Sequence, residues 1–352
     1  MPFRSIRIKN LRNIVGAEFY PHKRMNLIIG PNGSGKTSLL EAAYILSRGR
    51  SFRDNQISKA ISQEKEHLEL FGEICKPNST VGVGVHVSHN QTEIRLNGQR
   101  LERLSDLVRE VPLQIFTPRS HELVERGADT RRRFVEWGVF HVEHSYQIFS
   151  KRYKKALSQR NAALRLRNKL ENIWVEELVS SGSRINEMRE NYMAEFSQLF
   201  PNYIASLVGD IALETIWKKG WPQHSSLEEA LLNGNDQDKR RGFTLNGPHR
   251  ADMVLKLGRE NLIRRISRGQ QKLITMAMFL TQAKLLNIKT GLESILLVDD
   301  IGSELDAGNR EKALEHLKEE HVQVIITSTD PLLERYGGFD RLFHVEHGEI
   351  LG

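Results

Sequence analysis

The sequence predicts an α/β fold. A parallel-sheet core carries a phosphate-binding loop, an antiparallel β-layer lies beside it, and a mainly helical domain is inserted. Three observations predict this. Gly30-Pro31-Asn32-Gly33-Ser34-Gly35-Lys36-Thr37 meets every fixed position of the pattern G-x-x-x-x-G-K-[ST]. Short apolar runs at 295–298 and 322–326 end in Asp299-Asp300 and Thr327-Ser328-Thr329-Asp330. Between these and the glycine loop, from Asp129 onward, the chain turns helical and basic.

Residues 3–9 alternate apolar with basic side chains, the period of a half-buried strand, and residues 17–20 offer it a partner. Residues 26–29 form an apolar run into the glycine loop, and Leu39, Leu40, Ala43 and Leu46 then recur at helical spacing. Strand, glycine loop and helix start are what a triphosphate requires. Gly30, Gly33 and Gly35 let backbone N–H groups turn inward where a β-carbon would obstruct them. The helix N-terminus adds the positive end of its dipole. Lys36 is expected to reach the β- and γ-phosphates, Pro31, Asn32, Ser34 and Ser38 to complete the cradle, and the Thr37 hydroxyl to ligate Mg²⁺. A nucleoside triphosphate and Mg²⁺ are therefore the expected ligands.

Residues 67–74, 81–88 and 92–96 read as strands, and Asn97-Gly98 as a type I′ hairpin turn. Residues 112–116 read as one more strand, ended by Thr117-Pro118. The helical insertion is expected over 125–241, between head segments 1–124 and 242–352. Within it Ile185, Met188, Tyr192, Phe196 and Leu199 recur at helical spacing. Gly182 is expected to separate two helices and Pro201 to stop the second, while 233–241 is polar enough for a mobile loop. Its basic run includes Arg131, Arg132, Arg133, Lys151, Arg152, Lys154, Lys155, Arg160, Arg165, Arg167 and Lys169. Such a run is either a solvated helix face or a set of phosphate contacts. In the second case Arg131, Arg132, Lys151, Lys154 and Lys155 are the candidate DNA contacts, with weak sequence preference and steep salt dependence.

From residue 242 the chain is expected to return to the core, with a strand at 253–255. Ser267-Arg268-Gly269-Gln270-Gln271-Lys272 opens an amphipathic helix with Leu273, Met276, Ala277, Leu280 and Ala283 on one face. Asp299, at the end of an apolar strand, is expected beside Thr37 on Mg²⁺, and Asp300 to orient or deprotonate the attacking water. The plain alternative is a capped strand end followed by a turn. Ser267 and the Gly269 N–H at a helix start form a second anion site. An ordinary serine N-cap with glutamine in the first turn is the plain alternative there. Ser267 lies about thirty residues before the Asp299 strand, and Ser303-Glu304-Leu305-Asp306 follows it. This arrangement resembles the signature and D-loop of ABC-type ATPases. It implies an ABC-type P-loop ATPase head with ATP sandwiched between two subunits, Ser267, Gly269, Gln270 and Asp306 facing the partner's nucleotide.

At 352 residues, two domains are expected. Lys and Arg number 51 against 44 Asp and Glu, and the resulting charge of +7 suits a polyanionic partner. A lone Cys75 excludes a disulfide scaffold. No apolar run approaches the roughly 20 residues of a membrane span, and Met1-Pro2-Phe3-Arg4 begins no signal-peptide core. A cytoplasmic, nucleoid-associated protein is expected.

Gly49-Arg50-Ser51-Phe52-Arg53, Arg131-Arg132-Arg133-Phe134, Gly247-Pro248-His249-Arg250 and the two motifs at 267–272 and 298–306 go together with Leu11-Arg12-Asn13. On these residues the chain resembles the RecF family over essentially its whole length. The resemblance implies an ABC/SMC-like ATPase of bacterial recombinational repair that forms an ATP-dependent homodimer on single-stranded or gapped duplex DNA. It further implies help in loading the RecA recombinase with RecO and RecR proteins, and a part in the SOS response. Two departures stand out. Many ABC ATPases have Glu where Asp300 stands, so slow turnover is expected, and Thr327, Ser328 or Thr329 occupies the region of their switch His. Gln114 is a candidate Q-loop glutamine, and Arg12, Arg53 and Arg250 are candidates to touch nucleotide or DNA.

Phe-His-Val-Glu-His occurs at 140–144 and 343–347, once in a helical and once in a strand context, and neither copy is a zinc H-E-x-x-H. A transporter ATPase subunit would carry its signature about a hundred residues after the glycine loop, far earlier than Ser267. An SMC-type structural protein would need long heptad repeats, for which 129–241 is too short.

Overall fold

Alternation shapes the first element of the computed structural model. Phe3, Ile6, Ile8 and Leu11 of β1 (Phe3–Leu11) are buried while Arg4, Arg7 and Lys9 are exposed. The described residues are 1–77, 79–166, 169–258, 260–261, 266–320 and 322–351, with backbone alone at 169–171, 260, 261, 303 and 304. Arg167, and the side chains of Lys169, Ser303 and Glu304, thus lie outside the described set. The chain divides into two compact units, Met1–Ser120 with Lys272–Gly352, and His121–Gln271.

In the first unit β2 (Ile14–Phe19) pairs antiparallel with β1, Ile8 opposite Ala17. β3 (Met25–Ile29), buried at every position, leads into α1 (Lys36–Arg48). β4 (His67–Lys76), β5 (Ser79–Ser88), β6 (Thr92–Leu96) and β7 (Gln99–Arg100) complete an antiparallel sheet in the order β2-β1-β4-β5-β6-β7. Asn97 and Gly98, at φ 50° and 80°, make the left-handed turn that closes β6 on β7. α2 (Leu104–Glu110) then precedes β8 (Leu113–Phe116).

The second unit opens with α3 (Glu122–Glu125), α4 (Ala128–Val142) and α5 (Tyr146–Arg165). α6 (Val175–Leu207) is one helix of 33 residues, not two. A β-carbon on Gly182 would lie 2.7 Å from Leu227 Cδ2 and 3.1 Å from Tyr153 Cε2, so this glycine permits close packing and breaks nothing. Pro201 lies inside the helix as well. Burial of Phe200, Ile204 and Leu207 carries the chain past it, against a penalty of about 3 kcal/mol.

Next come β9 (Leu213–Lys218), α7 (Leu227–Asn233) and α8 (Asn235–Arg241), and α8 replaces the expected mobile loop. Its Asp238 is fully buried and ion-paired at 2.6 Å with the equally buried Arg160, which also donates to Thr244 Oγ1 at 2.7 Å. Composition suggested a solvated loop, but one of its charges is an internal partner. β10 (Asp252–Leu257) pairs with β9, Met253 opposite Trp217, and β11 (Glu260–Asn261) follows. The chain therefore leaves the second unit at Gln271, later than the return expected at residue 242. Gly247-Pro248-His249-Arg250 packs inside this unit: His249 Nδ1 bonds the Tyr153 hydroxyl at 2.7 Å, and burial pushes His249 down to about 4.

After α9 (Arg268–Thr290), the first unit gains β12 (Ile295–Val298), α10 (Ile301–Glu304), α11 (Ala307–Glu319), β13 (Gln323–Ser328), β14 (Arg341–Glu346) and β15 (Glu349–Leu351). The second large sheet runs β15-β14-β3-β13-β12-β8, parallel except for the β14–β15 hairpin. β3, β12 and β13 are buried at every position, as central parallel strands are. α1 lies in one core with both sheets: Leu39, Leu40, Ile45 and Leu46 join Ile6, Leu70 and Val83 of the antiparallel sheet and Ile28, Leu297 and Ile325 of the parallel one. Only Thr37, Tyr44 and Arg48 of α1 escape full burial.

Asp238→Ala strands the Arg160 guanidinium without its counter-charge. Urea unfolding should show a loss of about 3–5 kcal/mol, against almost none for Lys154→Ala on the exposed face of α5. Equal stabilities for the two variants would mean that the buried pair does not hold α8 in place.

Candidate functional site

Three adjacent parallel strands, β3, β13 and β12, end on the same edge of the sheet, where open α/β sheets bind ligands. β3 delivers the glycine loop, β12 delivers Asp299 and Asp300, and β13 delivers Thr327 and, just beyond it, Thr329. Asn32, Gly33, Gly35, Lys36, Thr37 and Ser38 line a pocket of about 340 Å³ with these residues and with Arg12, Asn13 and Arg53.

The loop is held open by close backbone approaches. A β-carbon on Gly30 would collide with the Val345 carbonyl oxygen of β14, and Gly35 stands at φ 120°. Gly348 donates its N–H to the Ser34 carbonyl at 2.7 Å. Asn13 Nδ2 donates to the Gly33 carbonyl at 3.0 Å, and Ser38 Oγ donates to Asn13 Oδ1 at 3.1 Å. Lys36 Nζ folds over its own loop onto the carbonyls of Gly30 and Pro31, each at 2.8 Å. Burial lowers the pKa of this ammonium, while the carboxylates of Asp300 and Asp299 pull it back up.

Thr37 Oγ1 donates to Asp299 Oδ1 at 2.9 Å. Burial raises the Asp299 pKa, opposed by hydrogen bonds from Thr327 and Thr37. The residues fit a magnesium-bound triphosphate. Thr37 and Asp299 present only oxygen donors, as a hard divalent cation prefers. The Ser34 hydroxyl is buried in the loop with no hydrogen-bond partner among the described residues. Asp300 is in the left-handed region at φ 53° and ψ 56°.

Other expected site residues are not among those that line this pocket. Ser267 Oγ accepts from the Gln270 N–H at 3.2 Å, and Gln270 Oε1 accepts from the Ser267 N–H at 3.0 Å, a reciprocal cap at the start of α9. Gly269 follows in the same first turn. Asp306 caps α11, accepting from the Asn309 N–H at 2.9 Å. Gln114 is buried on β8 and bonded to Gln282. Arg131 forms a two-pronged pair with Asp252, both bonds 2.9 Å, and Arg132 is held by Asp129 at 2.7 Å and the Ala251 carbonyl at 3.0 Å. These two arginines are thus committed within the second unit. Lys151, Lys154 and Lys155 are exposed on α5, and the exposed Arg250 lies over Phe243.

The pocket's arginines were suspected, but their anchor was not. Glu41, fully buried in α1, takes Arg12 at 2.7 and 2.9 Å and the Ser51 hydroxyl at 2.5 Å; Arg53 comes within 3.6 Å of it. Asp54 takes Arg12 at 2.6 Å, and both carboxylates raise the guanidinium's pKa further. The one available signal is a carboxylate set among the apolar residues Leu39, Leu40, Ala42 and Ala43. Asn13 and Thr327 carry no sequence signal beyond the motifs they sit in.

The model of the RecF/RecN/SMC N terminal domain family matches residues 2–350. A Chromohalobacter salexigens protein named DNA replication and repair protein RecF is 36% identical over 359 residues, covering 100% of this chain and 99% of its own. The chain belongs to the RecF family. A RecF of Shewanella denitrificans is 35% identical over 356 residues, covering 99% of each chain. Among solved structures, the recombination mediator protein RecF with ATP in the RecFOR pathway matches this RecF-family chain with a TM-score of 0.87. That match is 25% identical and covers 99% of this chain and 97% of the other. An Smc head bound to the C-winged helix domain of ScpA shares the fold, with a TM-score of 0.64 at 15% identity and coverage of 100% and 97%.

Lys36→Ala removes the cation from the loop. A fluorescent ATP analogue should then bind at least about tenfold more weakly, the scale of one charge-assisted hydrogen bond. Unchanged affinity would place the nucleotide elsewhere.

Proposed function

We propose that this chain binds Mg·ATP in the pocket of the first unit and acts as an ATP-dependent, DNA-binding mediator of recombinational and replication-gap repair. The observation that carries the reading is the meeting of Thr37 and Asp299, 262 positions apart, at 2.9 Å beside a glycine loop. Likeness to RecF proteins over the full length supports the process, and favours neither a transporter subunit nor a structural chromosome protein.

In this reading Lys36 trades its loop carbonyls for the β- and γ-phosphates. Thr37 and Asp299 would hold Mg²⁺, whose charge would offset that of the phosphates. Asp300 orients the attacking water; its side chain is one methylene shorter than glutamate, so hydrolysis is slow and serves as a timer. Ser267, Gly269, Gln270 and Asp306 serve the γ-phosphate of a second copy. The Ser267 hydroxyl accepts from Gln270 and still has its own proton to donate to a phosphate oxygen. DNA contact falls to Lys151, Lys154 and Lys155, because Arg131 and Arg132 are already paired. RecO- and RecR-type mediators are the partners in this scheme. Among the described residues no helix is long and apolar enough to cross a membrane.

Light scattering on Asp300→Asn, which slows hydrolysis, should show a monomer alone and a dimer with Mg·ATP. Adding Ser267→Arg should leave nucleotide binding intact and abolish the dimer. A mass that ATP does not change, with or without a short gapped duplex, would reduce Ser267 to a helix cap.

Replacing Lys151, Lys154 and Lys155 together by Ala should weaken binding to all DNA sequences alike. The slope of log affinity against log salt should flatten by up to about 3. An unaltered slope would make α5 merely a solvated face.

A further inference from the structure

We propose that Thr327 is a positioning residue that sets Asp299 for a divalent cation and Asp300 for the water beside it, resting on the reading that this pocket holds a Mg-nucleotide. Thr327 lies near the end of β13, between β3 and β12, and is fully buried. The two positions before it on the strand are Ile325 and Ile326. A hydroxyl in such a place costs about 1–3 kcal/mol unless it is bonded. This one is bonded twice. Its oxygen donates to Asp299 Oδ1 at 2.9 Å and accepts the Asp300 N–H at 2.9 Å.

The strand ladder explains why a side chain is needed. The Asp299 N–H points to β8 and bonds the Phe116 carbonyl at 2.8 Å. The next N–H, that of Asp300, turns toward β13 as the chain enters a left-handed conformation, and the Thr327 hydroxyl receives it. A left-handed non-glycine residue persists only where its surroundings over-determine it. Thr327 supplies one of those constraints at the residue that must face the water.

The second bond acts on the metal ligands. Thr37 and Thr327 both direct their hydroxyl protons at Asp299 Oδ1, each at 2.9 Å. That leaves the Thr37 lone pairs and Asp299 Oδ2 to the cation. With its hydroxyl committed to both, Thr327 works through the two aspartates. Its backbone is in register with Ile28 of β3, so one residue ties the carboxylate strand to the strand that enters the glycine loop.

The test uses full-length wild type, Thr327→Val, which keeps the branched shape, and Thr327→Ser, which keeps the hydroxyl. Two quantities are measured: affinity for a fluorescent ATP analogue without metal, and Mn²⁺ binding to the ATP complex from the loss of free Mn²⁺ paramagnetic resonance signal. The valine variant should weaken Mn²⁺ binding by about tenfold or more, the range for partners of metal ligands. Its metal-free nucleotide affinity should fall by less than its Mn²⁺ affinity does, and serine should restore Mn²⁺ binding. Wild-type Mn²⁺ affinity in the valine variant, or a serine variant as weak as valine, overturns the proposal. If wild type binds nucleotide and Mn²⁺ and the valine variant matches it, this proposal fails and the nucleotide reading stands. A wild type that binds neither nucleotide nor Mn²⁺ removes that reading and this proposal with it. Thermal unfolding without ligand checks folding. Should valine not fold, Thr327→Cys, similar in size with a weaker donor and acceptor, is judged by the same outcomes.

Discussion

The first unit depends on one constraint: α1 belongs to a core shared by two sheets. Its residues pack with β1, β4 and β5 as well as with β3, β12 and β13, so sliding or tilting the helix would open a void in that core. The helix N-terminus therefore has a fixed place at the edge of the parallel sheet. The glycine loop, wedged between the end of β3 and the start of α1, takes up the geometry this leaves.

Around that loop the molecule trades apolar packing for a connected set of polar bonds. Asn13 from the β1–β2 turn and Gly348 from the β14–β15 turn brace it from near the two ends of the chain. Arg12, Glu41, Ser51 and Asp54 form a second cluster at its side. Apart from the Ser34 hydroxyl, the polar groups named in these clusters are answered by partners, and a cluster so satisfied is stiff. Lys36 bonds only neutral loop carbonyls, which are weaker acceptors than charged oxygens.

The second unit solves a different problem with similar means. Its long helix, short helices and small sheet are joined by buried guanidinium groups. Arg160 holds Asp238, while Arg189 reaches the Tyr146 hydroxyl, the Pro248 carbonyl at 2.7 Å and Glu136 at 2.6 Å. Several arginines of a run that reads as a basic face are therefore internal fasteners. What remains outward on α5 is a smaller set, Lys151, Arg152, Lys154, Lys155 and Arg165.

By itself the sequence determined the glycine loop, its flanking strand and helix, the antiparallel strands with their Asn97-Gly98 turn, and the apolar strand before Asp299. Each of these is a local property: a period, a turn chemistry, or a motif whose residues are neighbours in the chain. Tertiary structure decided the rest. Gly182 and Pro201 carry ordinary break signals, yet α6 runs through both, because packing across the helix outweighs a local backbone preference. Residues 235–241 look solvated, yet one aspartate among them finds an arginine 78 positions earlier. The β10 strand could pair with any open edge, and only the folded chain selects β9. Thr327, too, carries no signal of its own. A threonine in an apolar strand gains meaning only when parallel pairing brings it between Asp299 and the glycine loop, since hydrogen bonds act over 3 Å in space and not along the sequence.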